Sequence, residues 1–370
     1  MSPPAMHFEE QISGAEESIY QKGVKYLCQE TGSATIKKVP GKYILPVSDR
    51  PNLNPNPTLN LPVIDFAELL GPNRTQVIKS LHKACQEFGF FQVVKHGIAE
   101  EIISEMINAS RKFFDLPFSE REKYMSSDMY SPVRYGTSVN QTKDKIFCWR
   151  DFLKLTCSHP LQNLVSSWPS SPLDFRETAA NYSKHTKSLY LLLIEAILES
   201  LGLLGSNQSM KETQDLKEFL NESQLMVVNY YPKCPEPDLT LGMAPHSDYG
   251  LLTLVLQDEV KGLQIQHQGK WLTVQPIPNS FLVNVGDHLE IFSNGRYKSV
   301  LHRVVVNSTE SRISIASFHS LPFTSMVRPS PKLLNEANPR RYKDTDFTAF
   351  LQYISSREPK TKNFLESRKL

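Results

Sequence analysis

The chain has 370 residues, 40% of them hydrophobic and 22% charged, and its formal net charge is only +2. The near-neutral charge argues against a broad surface for nucleic acid or an anionic membrane, and no apolar stretch is long enough to span a bilayer. Five cysteines without a Cys-x-x-Cys pair indicate a reducing compartment. We therefore expect a globular monomer of the cytoplasm, and also of the nucleus, whose partner is a small molecule.

The first half of the sequence predicts helices and two short strands. Residues 1–15 are polar and unpatterned, as in disordered segments, and a Pro/Asn-rich connector from Pro40 to Pro62 favours extended backbone. Apolar residues at a spacing of three to four predict helices, and short apolar runs predict strands. Helices are predicted at Glu17–Gln29, Arg74–Phe88, Ile102–Phe114 and Leu173–Leu204, and strands at Pro62–Phe66 and Phe90–Val94.

The second half changes, from Ser223 onward, to the two-residue alternation of half-buried strands. Many short strands after a helical first half predict a β-sandwich or barrel supported by helices, which is an α+β fold. Strands are predicted at Gln224–Tyr231, Leu251–Gln257, Leu263–His267, Trp271–Val274, Phe281–Val285, Leu301–Asn307 and Arg312–Phe318.

A candidate metal site begins with His246 and Asp248, which are two residues apart and on extended backbone point the same way. Alone this pattern is weak, because a turn Asp beside an exposed His produces it by chance. His302 lies on another predicted strand and completes a set of two imidazoles and one carboxylate, although a core histidine bonded to a carbonyl is the simpler alternative. Such a set suits iron(II) and leaves three coordination positions open.

A candidate anion-binding strand begins at Arg312. Strand alternation places Arg312, Ser314 and Phe318 on one face, which suits a pocket that holds a carboxylate by forked hydrogen bonds. The alternative is a sheet-edge arginine paired with a surface acid such as Glu310. Asn229 and Tyr231 share the face of an earlier strand, which is typical either of a polar ligand or of a buried hydrogen-bond network.

These patterns occur together and in order, and from about Pro62 to Ser330 the chain resembles the plant 2-oxoglutarate-dependent dioxygenases. The matching stretches are LPVIDF, ACQEFGFFQVVKHG, NYYPKCPEP, HSD, GLLTLVLQD, GLQI, VNVGD, SNGRYKSVLHRV and RISIASF. The resemblance implies a distorted double-stranded β-helix (jelly roll) flanked by helices. The residues that it implies are His246, Asp248 and His302 for iron(II), and Arg312, Ser314, Tyr231 and Asn229 for the 2-oxoglutarate cosubstrate.

The substrate pocket is expected to be apolar. Phe318 matches the position that stacks on aromatic substrates in flavonoid-modifying members, whereas Val227 stands where several of these enzymes carry a basic residue. The expected lining residues are Phe318, Val227, Phe152, Leu321 and Phe323. The resemblance is strongest to flavanone-3-hydroxylase-like, salicylate-hydroxylase-like and hyoscyamine-hydroxylase-like enzymes. It implies a small, largely apolar plant metabolite as substrate, such as a phenolic, a flavonoid or a terpenoid, hormones included.

The implied activity couples oxidative decarboxylation of 2-oxoglutarate to hydroxylation or desaturation of the substrate. Dioxygen is the second cosubstrate, and ascorbate is expected to support turnover. Two alternatives stay open at this point: a metal-dependent hydrolase with the same three ligands, and a non-catalytic metabolite-binding protein on the same fold. The hydrolase motifs His-Glu-x-x-His and Gly-x-Ser-x-Gly do not occur in the sequence.

Four segments are predicted along the chain. Residues 1–60 form a partly disordered N-terminal extension with the Pro-rich connector, and residues 61–220 form a region of helices and strands that packs on the core. Residues 221–330 form the jelly-roll core that carries the site, and residues 331–370 form a C-terminal helical segment.

Overall fold

The computed structural model describes residues 19–30, 36–53, 57–138, 144–158, 160–206, 208–356 and 364–370. The predicted disorder of residues 1–15 lies outside these ranges. The described strands are β1 (Thr58–Leu59), β2 (Val63–Asp65), β3 (Phe90–Val94), β4 (Val133–Gly136), β5 (Asp151–Thr156), β6 (Ser223–Tyr231), β7 (Met243–His246), β8 (Leu252–Gln257), β9 (Leu263–His267), β10 (Lys270–Val274), β11 (Phe281–Val285), β12 (His302–Val304) and β13 (Arg312–Ser320). The described α-helices are α1 (Val24–Glu30), α2 (Phe66–Leu69), α3 (Arg74–Glu87), α4 (Glu100–Asp115), α5 (Phe118–Arg121), α6 (Gln162–Val165), α7 (Phe175–Ser200), α8 (Asp287–Phe292), α9 (Phe347–Ser355) and α10 (Phe364–Arg368).

The strands form two sheets. The larger sheet has the order β2-β3-β11-β8-β13-β6-β5-β4, and the smaller has the order β1-β10-β9-β12-β7. One hydrophobic cluster joins the sheets, with Phe90 and Leu282 from the larger and Ile265 and Val304 from the smaller. This arrangement is the distorted double-stranded β-helix that the family resemblance implies, and the α+β class is confirmed.

Three helices cover the larger sheet and build the main core. Helix α7 packs against α3 and α4 and contacts β8 and β13. Buried residues at helical spacing, such as Leu81 in α3 and Leu189 and Leu193 in α7, join the strand residues Ile313 and Ile315 in this core. The strongly periodic helices were therefore predicted correctly, because one face of each is buried.

A glycine ends α3 where the chain turns into β3. Gly89 has a φ of +63°, and a Cβ there would lie 2.2 Å from the carbonyl oxygen of Lys298. Only glycine fits both the backbone conformation and the close approach. This turn sets the start of β3, which pairs with β11 directly beside β8.

The predicted N-terminal helix is interrupted at Gly23, whose φ is +101°. The carboxylate of Asp151 accepts hydrogen bonds from the backbone amides of Val24 (2.7 Å) and Lys25 (2.8 Å), and these amides begin α1. An anion at a helix N-terminus satisfies donors that have no partner within the helix. The contact ties the N-terminal segment to the first residue of β5.

Several predicted boundaries differ from the structure. Strand β12 covers only His302–Val304, and the connector contains short 3₁₀ turns at Gly41–Tyr43 and Val47–Asp49 rather than continuous extended backbone. Strands β4 and β5 were not predicted. No helix among the described residues is both long and apolar enough to cross a membrane.

Candidate metal centre and substrate cavity

Strands β7 and β12 bring the three candidate metal ligands together. They pair antiparallel with His246 opposite His302, and the centroids of the two imidazole rings are 4.2 Å apart. Asp248 follows the end of β7, so its position depends on the loop and not on strand alternation as the sequence argument assumed. Oδ1 of Asp248 lies 3.7 Å from Nε2 of His246 and 3.6 Å from Nε2 of His302.

Backbone carbonyls orient both imidazoles. Nδ1 of His246 contacts the carbonyl oxygen of Ala244 at 2.8 Å, and Nδ1 of His302 contacts that of Val300 at 3.2 Å. A carbonyl only accepts, so each Nδ1 carries the proton and each Nε2 presents a lone pair toward Asp248. Both rings thus have the tautomer that a metal ligand needs.

Two side chains hold the carboxylate of Asp248. Its Oδ2 accepts hydrogen bonds from Oγ1 of Thr253 at 2.6 Å and from Nδ2 of Asn284 at 2.8 Å, which leaves Oδ1 directed at the histidines. Burial raises the pKa of Asp248, but the two facing imidazoles and these hydrogen bonds outweigh it and lower the pKa below its usual value.

Burial, and after it the neighbouring His302, lower the pKa of His246 to about 4. The neutral imidazole is the metal-binding form. Two imidazoles and one carboxylate whose ligand atoms lie within 4.8 Å of one another match the set that binds iron(II) and leaves positions open for other ligands. Four protein ligands, the arrangement of structural zinc sites, are not found among the described residues here.

Arg312 and Ser314 lie on β13 next to β6, as the shared strand face predicts. The register places Arg312 opposite Tyr231 and Ser314 opposite Asn229. Arg312 is 3% exposed, and its guanidinium lies 5.2 Å from the ring centroid of Tyr231. Because β13 lies between β6 and β8, Arg312 is not at a sheet edge, and among the described residues it forms no ion pair with Glu310 or another acid.

The guanidinium of Arg312 is fixed by neutral acceptors. Nη2 donates to Oε1 of Gln257 at 2.8 Å, Nη1 to Oγ of Ser314 at 3.3 Å, and Nε to the carbonyl oxygen of Val260 at 3.1 Å. A Cβ at Gly262 would lie 3.0 Å from Cδ of Arg312, so glycine leaves room for this side chain. A buried arginine held without a carboxylate partner can bind an incoming carboxylate.

A cavity of about 550 Å³ opens beside His246 and Asp248, a volume suited to a small molecule. Four of the five predicted substrate residues line it, namely Phe318, Val227, Phe152 and Phe323. Leu321 does not line the cavity and lies in the main hydrophobic core, so its prediction needs correcting. The chain leaves the end of β13 at Ser320, and strand alternation no longer applies beyond it.

Helix α9 supplies an aromatic wall of the cavity, which the sequence did not predict. Tyr249 stacks on Phe350 of α9 with ring centroids 4.9 Å apart, and on Phe318 with centroids 6.0 Å apart. Phe323 stacks on Phe347 at 4.2 Å. The spacing of Phe347, Phe350 and Leu351 is that of one helix face, which is the signal that could have shown this wall.

Comparison with known proteins agrees with this geometry. Residues 222–321 match the 2OG-Fe(II) oxygenase superfamily, and residues 61–171 match the N-terminal family of non-haem dioxygenases in morphine synthesis. The chain is 42% identical to Protein DMR6-LIKE OXYGENASE 2 of Arabidopsis thaliana, over 86% of this chain and 91% of that protein. The chain belongs to the 2OG-Fe(II) oxygenase superfamily.

Other superfamily members are similar over nearly the whole chain. Flavanone 3-dioxygenase 2 of Oryza sativa subsp. japonica is 40% identical over 91% of this chain and 96% of its own length. A crystal structure of JOX2 in complex with 2OG, Fe and JA superposes with a TM-score of 0.80 at 32% identity and covers 94% of this chain and 97% of that one. The oxygenase is therefore an oxidoreductase that uses iron(II) and 2-oxoglutarate, and the hydrolase and the non-catalytic alternatives are not supported.

Proposed function

We propose that this oxygenase binds iron(II) through His246, Asp248 and His302 and hydroxylates or desaturates a small, largely apolar plant metabolite. The observation that carries the proposal is the convergence of two imidazole nitrogens and one carboxylate oxygen beside an aromatic-lined cavity, to which His246 and Asp248 contribute. The donor set fits iron(II), since two imidazole nitrogens and one carboxylate oxygen lie within 4.8 Å of one another.

The four other site residues are proposed to hold the cosubstrate. Arg312 and Ser314 would bind the distal carboxylate of 2-oxoglutarate, and Tyr231 and Asn229 would contact its chain from the neighbouring strand. The aromatic ring of Tyr231 shields one side of the guanidinium from water, which strengthens its hydrogen bonds.

The bound iron(II), with dioxygen, supplies the oxidation that converts 2-oxoglutarate to succinate and carbon dioxide and gives one oxygen atom to the substrate. The protein binds and orients the reactants. Hydrogen bonds from Thr253 and Asn284 keep Asp248 Oδ1 in place, and the carbonyls of Ala244 and Val300 keep both imidazoles in one tautomer. The aromatic wall excludes water and holds an apolar substrate beside the metal.

Succinate release tests this proposal. Purified protein with iron(II), ascorbate, oxygen and 2-oxoglutarate should release succinate, and an acceptor found by metabolite screening should increase the rate. A hydrolase would act without 2-oxoglutarate, and a binding protein would release no succinate. Succinate formation no greater than that of Asp248→Ala would overturn the proposal.

We also propose that the oxygenase acts as a monomer in the cytoplasm and the nucleus. The three candidate metal ligands lie together within a single chain. The five cysteines form no disulfide with one another in the described part of the chain, which suits a reducing compartment. Light scattering on purified protein and imaging of a fluorescent fusion test the two parts separately.

A further inference from the structure

Two strands that the sequence did not predict place a row of basic residues on the cavity wall. In the register of β4, β5 and β6, Arg134 pairs with Lys154, and Lys154 pairs with Val227. Cross-strand partners point to the same face of a sheet, and all three side chains line the cavity. The basic residue absent at Val227 is thus replaced by a lysine one strand away and an arginine two strands away.

A third cation lies beside this row. Arg150 immediately precedes β5, lines the cavity, and donates from Nη1 to Oδ1 of Asn229 at 2.9 Å. The guanidinium groups of Arg134 and Arg150 lie 5.4 Å and 5.0 Å from the ring centroid of Phe152, which holds both against one aromatic side chain. We call Arg134, Arg150 and Lys154 the basic row.

The two arginines of the basic row are buried, and Lys154 is half-buried. Arg134 and Arg150 are 5% and 4% exposed. Nζ of Lys154 donates to the carbonyl oxygen of Met129 at 2.8 Å, and burial with the nearby Arg134 lowers the pKa of this lysine to about 8. Within the described part of the chain, neither Arg150 nor Lys154 forms an ion pair, and Nε of Arg150 has no hydrogen-bond partner.

Two acids, Asp144 and Asp128, act electrostatically on the basic row. Asp144 lines the same cavity, accepts a hydrogen bond from Ser138 and acts electrostatically on Arg134, and Asp128 acts on Arg134 and Lys154. The other acids on the cavity wall are Asp248 and Asp287, on the metal side. Arg150 and Lys154 form no ion pair among the described residues, so an anion bound in the cavity would stabilise both cations.

We propose that the substrate carries a carboxylate, which the basic row binds through Lys154 with Arg134 and Arg150, while its apolar body lies against the aromatic wall of Phe318 and α9. This inference rests on the proposed function and specifies its substrate class. The cavity is then complementary to an amphipathic acid, because the basic row, the aromatic rings of the wall and the metal ligands His246 and Asp248 all line it. The carboxylate would also fix which carbon atom faces the metal.

Matched acid and ester pairs test the proposal by binding alone. The probes are trans-cinnamate, indole-3-acetate and decanoate, each with its methyl ester, titrated calorimetrically into full-length protein loaded with manganese(II) and 2-oxoglutarate. A charge-assisted hydrogen bond in a buried site predicts that at least one acid binds about 10-fold more tightly than its ester, or better. Lys154→Met and Arg134→Gln should each reduce this preference several-fold.

Two further variants serve as controls. Lys154→Arg keeps the charge and should retain the preference for the acid. Lys83→Met makes the same change of charge on the exposed surface of α3, where Lys83 lies 3.9 Å from Glu87, and should bind like the wild type. Equal binding of acid and ester in all three pairs, or a preference that survives Lys154→Met, would overturn the inference. Failure of the proposed function is seen separately, as absence of succinate release from the wild type.

Discussion

The metal end and the substrate end of the site are built in different ways. At the metal end, His246 and His302 face each other across β7 and β12, and each is oriented by the carbonyl two residues before it. At the substrate end, the cavity wall comes from β4, β5 and β6 and from α9, more than a hundred residues apart in the chain. At the metal end, local backbone thus orients each histidine and one strand pair brings the two together, whereas the substrate end is assembled from elements in distant parts of the chain.

Removing a metal ligand gives the largest effect and isolates the metal end. Asp248→Ala removes the carboxylate between the two imidazoles, so we expect iron(II) binding and succinate release to be abolished with little loss of folded protein. Asp238→Ala removes an exposed carboxylate on a nearby loop and should behave like the wild type. Full activity of Asp248→Ala would show that the metal is held elsewhere.

Arg312→Ala should separate the cosubstrate from the primary substrate. Truncating a buried charge-assisted pair costs about 2–5 kcal/mol, so the concentration of 2-oxoglutarate for half-maximal rate should rise roughly 30-fold or more. The requirement for the primary substrate should change little. The exposed Arg328→Ala is the control, and an unchanged requirement for 2-oxoglutarate in Arg312→Ala would refute the assignment.

Lys154, at the substrate end, should make the free energy of unfolding depend on pH. Its folded-state pKa is lowered from 10.5 to about 8, so between these values the unfolded chain binds more protons than the folded one. The stability of the wild type relative to Lys154→Met should therefore rise with pH across this window, by on the order of 1–3 kcal/mol. Denaturant unfolding of both proteins at pH 7.5 and pH 10.5 measures this difference. If the free energy of unfolding changes by the same amount in both proteins, the pKa of Lys154 is not lowered in the folded state.

Phe318→Ala should have the smallest effect and concerns the aromatic wall. Loss of the ring that stacks on Tyr249 should weaken substrate binding by about 0.5–1.5 kcal/mol beyond the lost apolar area, if an aromatic substrate stacks there. Looser binding of the substrate should also lower the ratio of oxidised product formed to succinate released. Phe323→Leu keeps an apolar side chain in the same cavity and is the control. Undiminished coupling and rate in Phe318→Ala would show that this ring serves packing alone.

The two ends differ in how far the sequence predicts them. Strands β3, β9 and β11 were predicted to the residue, because short apolar runs between turn residues identify them. Strands β4 and β5 were missed because they bury Arg134 and Asp151 together with apolar residues, which removes the alternation. The basic row is absent from the predicted site for the same reason, although Lys154 lies two residues after Phe152 and so shares its strand face.

Loops limit the prediction at the metal end as well. Asp248 lies beyond β7, and its orientation comes from Thr253 and Asn284 on neighbouring strands, which no local pattern reveals. The pairing of the metal ligands was predictable as a motif, but the hydrogen bonds that orient them were not. The predicted division into four segments remains a prediction, and strands β2 to β5 of the second segment pair with the larger sheet.

A crystal structure of the manganese(II)-loaded protein with 2-oxoglutarate tests the site assignment most directly. We predict one metal ion bound by Nε2 of His246, Nε2 of His302 and Oδ1 of Asp248, with the distal carboxylate of 2-oxoglutarate on Arg312 and Ser314 and the basic row left open to the cavity. A metal ion at another site, or a 2-oxoglutarate carboxylate held by Lys154 and Arg134, would contradict the assignment.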